Sequence, residues 1–183
     1  MSAVQQNIGV YYLKTVLKTF QSQKRLAERA MAQLKSKDFH WTPDSESNSI
    51  AILIKHLSGN MRSRWTDFLT TDGEKPDRKR DNEFVDDIES VEMLMERWNE
   101  GWSYLFTTLT GLRSSDLLKN VTIRGESHYV LEAIERHLSH YGVHVGQIVY
   151  IAKLLKSTKW QSLSIPRGES ERFNTEMRSK HQP

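Results

Sequence analysis

The chain of 183 residues is long enough for one domain with a hydrophobic core, and its composition of 37% hydrophobic and 27% charged residues is typical of a soluble globular protein. It has no cysteine, which excludes disulfides, iron–sulfur clusters, thiolate zinc sites and a cysteine nucleophile, so any transition-metal site must use His, Asp, Glu and water. The net charge of +3 is spread over interleaved acids and bases, and no long apolar run or secretory signal is present, so we expect a cytoplasmic protein that binds neither a membrane nor specific nucleic acid.

The first two predicted elements are amphipathic helices. From about Gln6 to Lys35, apolar residues recur at steps of three and four, which places them on one helical face. Pro43 and the polar residues after it end this pattern. A second helix is predicted from about Asn48 to Leu69, and it begins in a run of Ser and Asn residues that favours an N-cap.

A loop of mixed charge is predicted from Thr70 to about Val85, before a third helix. Asp86 and Glu89 have the spacing of a capping box and predict that this helix starts there and runs to Thr110. Its apolar residues alternate steps of four and three, which is the spacing of a bundle seam. Gly111 then ends the helix.

The last part of the chain is predicted to hold a fourth helix and a packed tail. Residues 117–125 are either a short strand or an extended link, and the helix runs from about Ser127 to Leu155. The tail is expected to pack on the helices through four apolar side chains: Trp160, Leu163, Ile165 and Phe173. The prediction is an all-α fold, an up-down four-helix bundle over about 6–156, with an extension over about 157–183, in one domain spanning 1–183.

Histidines on the predicted fourth helix have the spacing of metal ligands. His140 and His144 are four residues apart, so both imidazoles can point at one ion. His137 lies roughly 10 Å along the axis from His144, too far to share an ion with it, although it could pair with His140. The alternative is that these imidazoles form hydrogen bonds within the core or line a wet groove, and spacing alone does not decide between the two.

The predicted second helix adds three polar residues on one face: His56, Asn60 and Arg64. His56 together with the other pair would give three imidazoles and leave a coordination position for water or substrate, which is typical of catalytic metal sites. Arg64 falls inside the apolar stripe and needs a partner. That partner is either an acid such as Glu74 or Glu83, in a structural ion pair, or the carboxylate of a substrate.

With these residues in place, the chain resembles the DinB/YfiT-like superfamily of metal-binding four-helix bundles over nearly its whole length. The run His140-x-x-x-His144-x-Gly146-Gln147-Ile148 resembles the fourth-helix motif of that superfamily. The run His56-Leu57-Ser58-Gly59 resembles its second-helix motif, which carries the first ligand. Val143 stands where the superfamily often has a further histidine. Three other stretches resemble one uncharacterised bacterial subfamily: Arg62–Trp65, Gly73–Pro76 and Leu163–Gly168.

The resemblance implies one divalent ion at His56, His140 and His144, with Zn²⁺ or Ni²⁺ ahead of Mn²⁺ or Fe²⁺, and a homodimer. It also implies a metal-dependent enzyme, thiol-dependent S-transferase-like or hydrolase-like, with a low-molecular-weight thiol as cosubstrate. Asn60, Arg64 and Gln147 would be pocket or supporting residues, and no catalytic residue is assigned. The alternative is a non-catalytic bundle that binds a metal or small ligand, as a sensor or scavenger.

Overall fold

The computed structural model describes residues 3–181, the side chains of residues 3–7 excepted, and the fold is mostly helical with one small sheet. The helices are α1 (Ala3–Met31), α2 (Ile50–Trp65), α3 (Val91–Gly111), α4 (Val130–Lys156) and α5 (Ser170–His181). The strands are β1 (Asn120–Ile123) and β2 (Glu126–Tyr129). Within this described range, none of the helices combines the length and the hydrophobicity that a membrane span requires.

Serine side chains cap the second and third helices. The hydroxyl of Ser49 accepts a hydrogen bond from the N–H of Ile52 at the start of α2, and Ser90 accepts one from Met93 at the start of α3. The prediction that Asp86 begins the third helix is therefore wrong. The carboxylate of Asp86 instead bonds the Nδ1 atom of His40, at 2.9 Å, and so ties the loop before α2 to the loop before α3.

The ambiguous stretch after α3 is a β-hairpin. Strands β1 and β2 pair antiparallel, and Arg124 and Gly125 form the two-residue turn between them. Both turn residues have positive φ angles, 57° and 77°, as a tight turn that matches strand twist requires. Because Ser127 pairs with Thr122 in the hairpin, α4 starts at Val130 and not at Ser127 as expected.

The core lies between α1, α2, α3 and α4, whose apolar faces were predicted from their periodicity. It includes a cluster of large aromatic side chains in edge-to-face contact: Phe20, Trp65, Trp98, Trp102 and Tyr141. Gly101 allows α3 to approach α2 closely, because a Cβ at this position would lie 2.8 Å from the Cα of Ser58. At the other side, the hydroxyl of Tyr12 on α1 donates to the carbonyl of Leu131 on α4.

The tail packs only in its first part. Trp160 and Leu163 pack against the core, and Arg29 on α1 donates to the carbonyl of Leu163. Ile165 is 38% exposed, helix α5 has no buried residue, and Phe173 on that helix is 40% exposed. The expectation that Ile165 and Phe173 pack on the helices is therefore wrong. The physical reason is composition: α5 carries just two large apolar residues, Phe173 and Met177, which are too few for a buried stripe.

Candidate metal centre

Three imidazoles from two helices meet at one point. The Nε2 atom of His140 lies 3.3 Å from the Nε2 atom of His56 and 3.0 Å from that of His144. The ligand atoms of the three residues all lie within 4.8 Å of one another. A tetrahedral ion with bonds of 2.0–2.1 Å would hold its nitrogen ligands about 3.3 Å apart. The three histidines are therefore close enough to hold a metal ion.

A carboxylate from the loop between α2 and α3 orients His56. The Nδ1 atom of His56 donates to Oε2 of Glu83 at 3.0 Å. Arg78 donates to both oxygens of the same carboxylate, at 2.8 Å each. Burial alone would raise the pKa of Glu83, but the hydrogen bond from His56 and the charge of Arg78 outweigh it and lower that pKa. An ionised Glu83 only accepts hydrogen bonds, so Nδ1 of His56 carries the proton and Nε2 is free to bind.

The position of Glu83 depends on a glycine of α2 and on the short 3-10 helix Arg80–Phe84. A Cβ on Gly59 would overlap the carboxylate of Glu83, so a residue without a side chain is needed at this point. Phe84 follows Glu83 and places its ring against the ring of His56, with 4.9 Å between the centroids. The glycine of the His56-Leu57-Ser58-Gly59 run thus has a steric role, which is to leave room for the carboxylate of Glu83.

Gln147 orients the third imidazole. The Nδ1 atom of His144 lies 2.7 Å from Oε1 of Gln147, which is three residues further along α4. Since an amide oxygen can only accept, Nδ1 of His144 carries the proton, and its Nε2 presents a lone pair to the other two histidines. The side chain of Gln147, predicted as a supporting residue, lies where such a residue would act.

The surroundings of His140 and His144 keep both imidazoles in the neutral form that binds metals. Burial and the neighbouring imidazoles of His144 and His56 lower the pKa of His140 to about 3, and burial lowers the pKa of His144. Both rings are therefore neutral at neutral pH. The Nε2 lone pairs of His56 and His144 both face Nε2 of His140. That nitrogen carries at most one hydrogen, so it can donate to only one of the two lone pairs. A cation at the meeting point would give all three lone pairs a partner, so this set of donors fits a divalent ion.

Asn60 lies one helical turn after His56 and takes part in a buried chain of hydrogen bonds. The indole N–H of Trp65 donates to the hydroxyl of Tyr141 at 3.0 Å, and that hydroxyl donates to Oδ1 of Asn60 at 3.0 Å. Because an indole can only donate, the direction of this chain is fixed. The Nδ2 atom of Asn60 is the other end of this chain, and among the described residues it donates no hydrogen bond.

Arg64 has a protein partner. Its guanidinium donates to Oε2 of Glu74 at 2.8 Å and to the carbonyl of Gly73, while Arg124 of the hairpin turn also bonds Glu74. The side chain of Arg64 is buried. Of the two alternatives for this arginine, the structure shows the ion pair with Glu74.

His137 does not join the three-histidine group. Its Nδ1 atom donates to the carbonyl of Ala133 at 2.6 Å, and its ring packs against Trp65. Burial lowers the pKa of His137 to about 4, so this side chain is a neutral core histidine at neutral pH.

Sequence patterns missed three residues that shape this centre: Arg78, Phe84 and Tyr141. Glu83 was considered as a partner for Arg64, and its contact with His56 was not predicted. The loop from Thr70 to Val85 has no periodicity, so nothing in its order of charges indicates which acid meets His56. The glycine of the His56–Gly59 run is the one local signal that a bulky group approaches α2 there.

Residues 7–169 match the family model described as "Protein of unknown function (DUF1572)". No curated protein and no solved structure matches the chain.

Proposed function

The chain belongs to the DUF1572 family of proteins of unknown function, and we propose that it is a metal-dependent enzyme with a DinB-like four-helix-bundle fold. One divalent ion, Zn²⁺ or Ni²⁺ before Mn²⁺ or Fe²⁺, would be held by His56, His140 and His144. The observation that supports the proposal best is the convergence of their three Nε2 atoms, at 3.0 and 3.3 Å. Three ligands leave an open position, as in catalytic zinc sites.

The chemistry that a bound ion supplies is a lowered pKa for a thiol or water, so that a nucleophile exists at neutral pH. The protein has no thiol of its own, so the sulfur would come from a low-molecular-weight cosubstrate. Thiol-dependent transfer is accordingly our first choice of reaction, on the resemblance to the DinB/YfiT-like superfamily, and hydrolysis is the second.

Two side chains support this proposal from opposite sides of the site. Gln147 and Glu83 hold the Nδ1 protons of His144 and His56 and so keep both Nε2 atoms turned inward. Asn60 would donate from Nδ2 to an oxygen of the substrate, because its other end is already bonded to Tyr141. We do not propose Arg64 as the residue that binds a substrate carboxylate, because its guanidinium already donates to the carboxylate of Glu74.

The test is conjugation of a low-molecular-weight thiol with 1-chloro-2,4-dinitrobenzene by protein loaded with Zn²⁺ or Ni²⁺. The reaction forms a carbon–sulfur bond, releases chloride and gives the thiol proton to the buffer. We expect a rate above background that disappears with EDTA and in the His140→Ala/His144→Ala variant. A rate that EDTA leaves unchanged would contradict metal-dependent thiol transfer.

One observation favours the alternative of a non-catalytic metal- or ligand-binding protein. Two loop acids that could serve as a general base are both engaged in ion pairs: Glu74 with Arg64 and Arg124, and Glu83 with Arg78 and His56. Stoichiometric metal binding, without turnover of thiol or ester substrates, would support this sensor or scavenger role. The resemblance also leads us to propose a homodimer, for which sedimentation velocity should give twice the mass of 21.3 kDa.

A further inference from the structure

We propose that the metal centre extends beyond its two helices, and that Arg78 and Glu83 are positioning residues that fix His56 in the orientation an ion requires. The proposal rests on the metal site proposed above and adds the loop between α2 and α3 to it. Neither residue would touch the ion; each would act through the imidazole of His56.

The contacts of Glu83 indicate that its function is to align the imidazole of His56. Arg78 holds both carboxylate oxygens at 2.8 Å, and its side chain is 4% exposed, so this pair is shielded from water. The remaining acceptor capacity of Oε2 is directed at Nδ1 of His56, 3.0 Å away. Bidentate pairs of this kind are geometrically specific, which makes Glu83 a fixed point against which the imidazole is aligned.

Fixing Nδ1 matters because an imidazole can bind through either nitrogen. If the ring of His56 turned over, Nδ1 would face His140 and the distance of 3.3 Å between the two Nε2 atoms would be lost. The hydrogen bond to Glu83 prevents this rotation and keeps the proton on Nδ1. A carboxylate behind a ligand histidine also raises its basicity, and such partners are worth roughly 10- to 100-fold in metal affinity.

The Arg78–Glu83 pair is itself linked to the hairpin by a chain of charged side chains. Glu74 bonds Arg64 at 2.8 Å and Arg124 at 3.0 Å, and Arg78 lies 3.5 Å from the same carboxylate. Loop residues 74–83 therefore reach His56 only when they are folded onto α2. It follows that binding of an ion should slow hydrogen exchange in this loop.

The test compares two acids of that loop, each paired with an arginine. Glu83→Gln removes the charge behind His56, whereas Asp77→Asn removes the same charge from an exposed pair with Arg62 that touches no histidine. Zn²⁺ affinity would be measured by competition with a chromogenic chelator. We expect about a 10- to 100-fold loss for Glu83→Gln and less than about a twofold change for Asp77→Asn.

A second variant and a second readout separate positioning from folding. Arg78→Lys keeps the charge but cannot donate to both carboxylate oxygens of Glu83 at once. It should weaken Zn²⁺ binding, as Glu83→Gln does. Circular dichroism would check that the variant is folded. The ¹⁵N spectrum of metal-free protein at pH 9 should show His56 protonated at Nδ1 in the wild type and as a mixture of tautomers in Glu83→Ala, which has no acceptor for the Nδ1 proton. Hydrogen exchange of residues 74–83 with and without Zn²⁺ completes the set.

The outcomes are distinct. Equal Zn²⁺ affinity of the wild type and Glu83→Gln, or the same His56 tautomer in the wild type and Glu83→Ala, would overturn the positioning role. A wild type that binds no Zn²⁺ but has the Nδ1 tautomer held by Glu83 would contradict the metal-dependent function and leave the orientation of His56 by Glu83 supported.

Discussion

Gly59 has no side chain, and the carboxylate of Glu83 lies in the space that a Cβ at this position would take. Gly59→Ala should push this carboxylate away from His56 and lower Zn²⁺ affinity about 10-fold or more, without removing any polar group. Gly146→Ala is the matched control, because a Cβ there meets no atom within 4 Å. Competition titrations of the two variants check this, and equal affinities would contradict the steric role of Gly59.

Tyr141 links the core to the site through its hydroxyl. Tyr141→Phe would leave the indole N–H of Trp65 and the amide oxygen of Asn60 without their partner, in a fully buried environment. We expect the free energy of unfolding to fall by about 1–3 kcal/mol in urea titrations. Tyr150→Phe is the control, since Tyr150 is exposed, and it should change the free energy by less than about 0.5 kcal/mol. Equal stability of the two variants would show that the buried chain contributes little.

Single residues also show what the sequence alone could predict about the site. The spacing of His140 and His144 predicted that both imidazoles can point at one ion, because helical spacing is a property of the local chain. The resemblance implied that His56 joins them. The partners of those ligands were a different matter. Glu83 lies 27 residues from His56, on a loop, and a contact of that kind leaves no periodic trace in the sequence.

The helices with long apolar stripes were predicted from the sequence. Their starts were misplaced where more than one polar side chain could cap the helix. The start of α3 was expected at Asp86, but this carboxylate is occupied by His40 and Ser49, and Ser90 is the cap. The hairpin was left open because four-residue strands are too short to show alternation. The available sequence signal was Gly125, which adopts a positive φ angle in the turn of the hairpin.

The junction between the hairpin and the loop depends on the charge of Asp72. Its carboxylate accepts hydrogen bonds from the backbone N–H groups of Glu74, Gly125 and Arg124, and these bonds lower its pKa from 3.8 to about 2. A pKa that is lower in the folded state stabilises the protein above the unfolded value, and this contribution is lost as the pH falls from about 4 to about 2.

Asp72→Asn should therefore reduce the free energy of unfolding at pH 7, and the difference from the wild type should shrink between pH 4 and pH 2. Urea titrations of metal-free protein at several pH values measure it. Asp77→Asn, at an exposed ion pair, should show a small effect throughout. A difference for Asp72→Asn that does not depend on pH would mean that its charge plays no part.

Helix α5 has no buried residue, so it should add little to the stability of the fold. A chain that ends at residue 169 keeps Trp160 and Leu163, which pack against the core. We expect its melting temperature to stay within about 2 °C of that of the full chain. A chain that ends at residue 156 is the comparison and should melt at a lower temperature. A large loss on removal of α5 alone would show that the helix makes contacts that matter for stability.

Over the whole molecule, local periodicity predicted the mostly helical class, and the resemblance predicted which three histidines meet. Neither predicted how the mixed-charge loop folds back over α2. Along that path, charges from three parts of the chain meet: Arg64 of α2, Glu74 and Arg78 of the loop, and Arg124 of the hairpin. The metal centre we propose therefore depends on three parts of the chain at once, namely α2, α4 and the loop between α2 and α3.

The most direct test of that centre is elemental analysis of the purified, untagged protein beside the His140→Ala/His144→Ala variant. We predict about one Zn, Ni, Mn or Fe ion per wild-type chain and none in the variant. Absence of metal from both proteins, even after incubation with each ion and dialysis, would contradict the metal site, and the three imidazoles would then be polar groups of the interior.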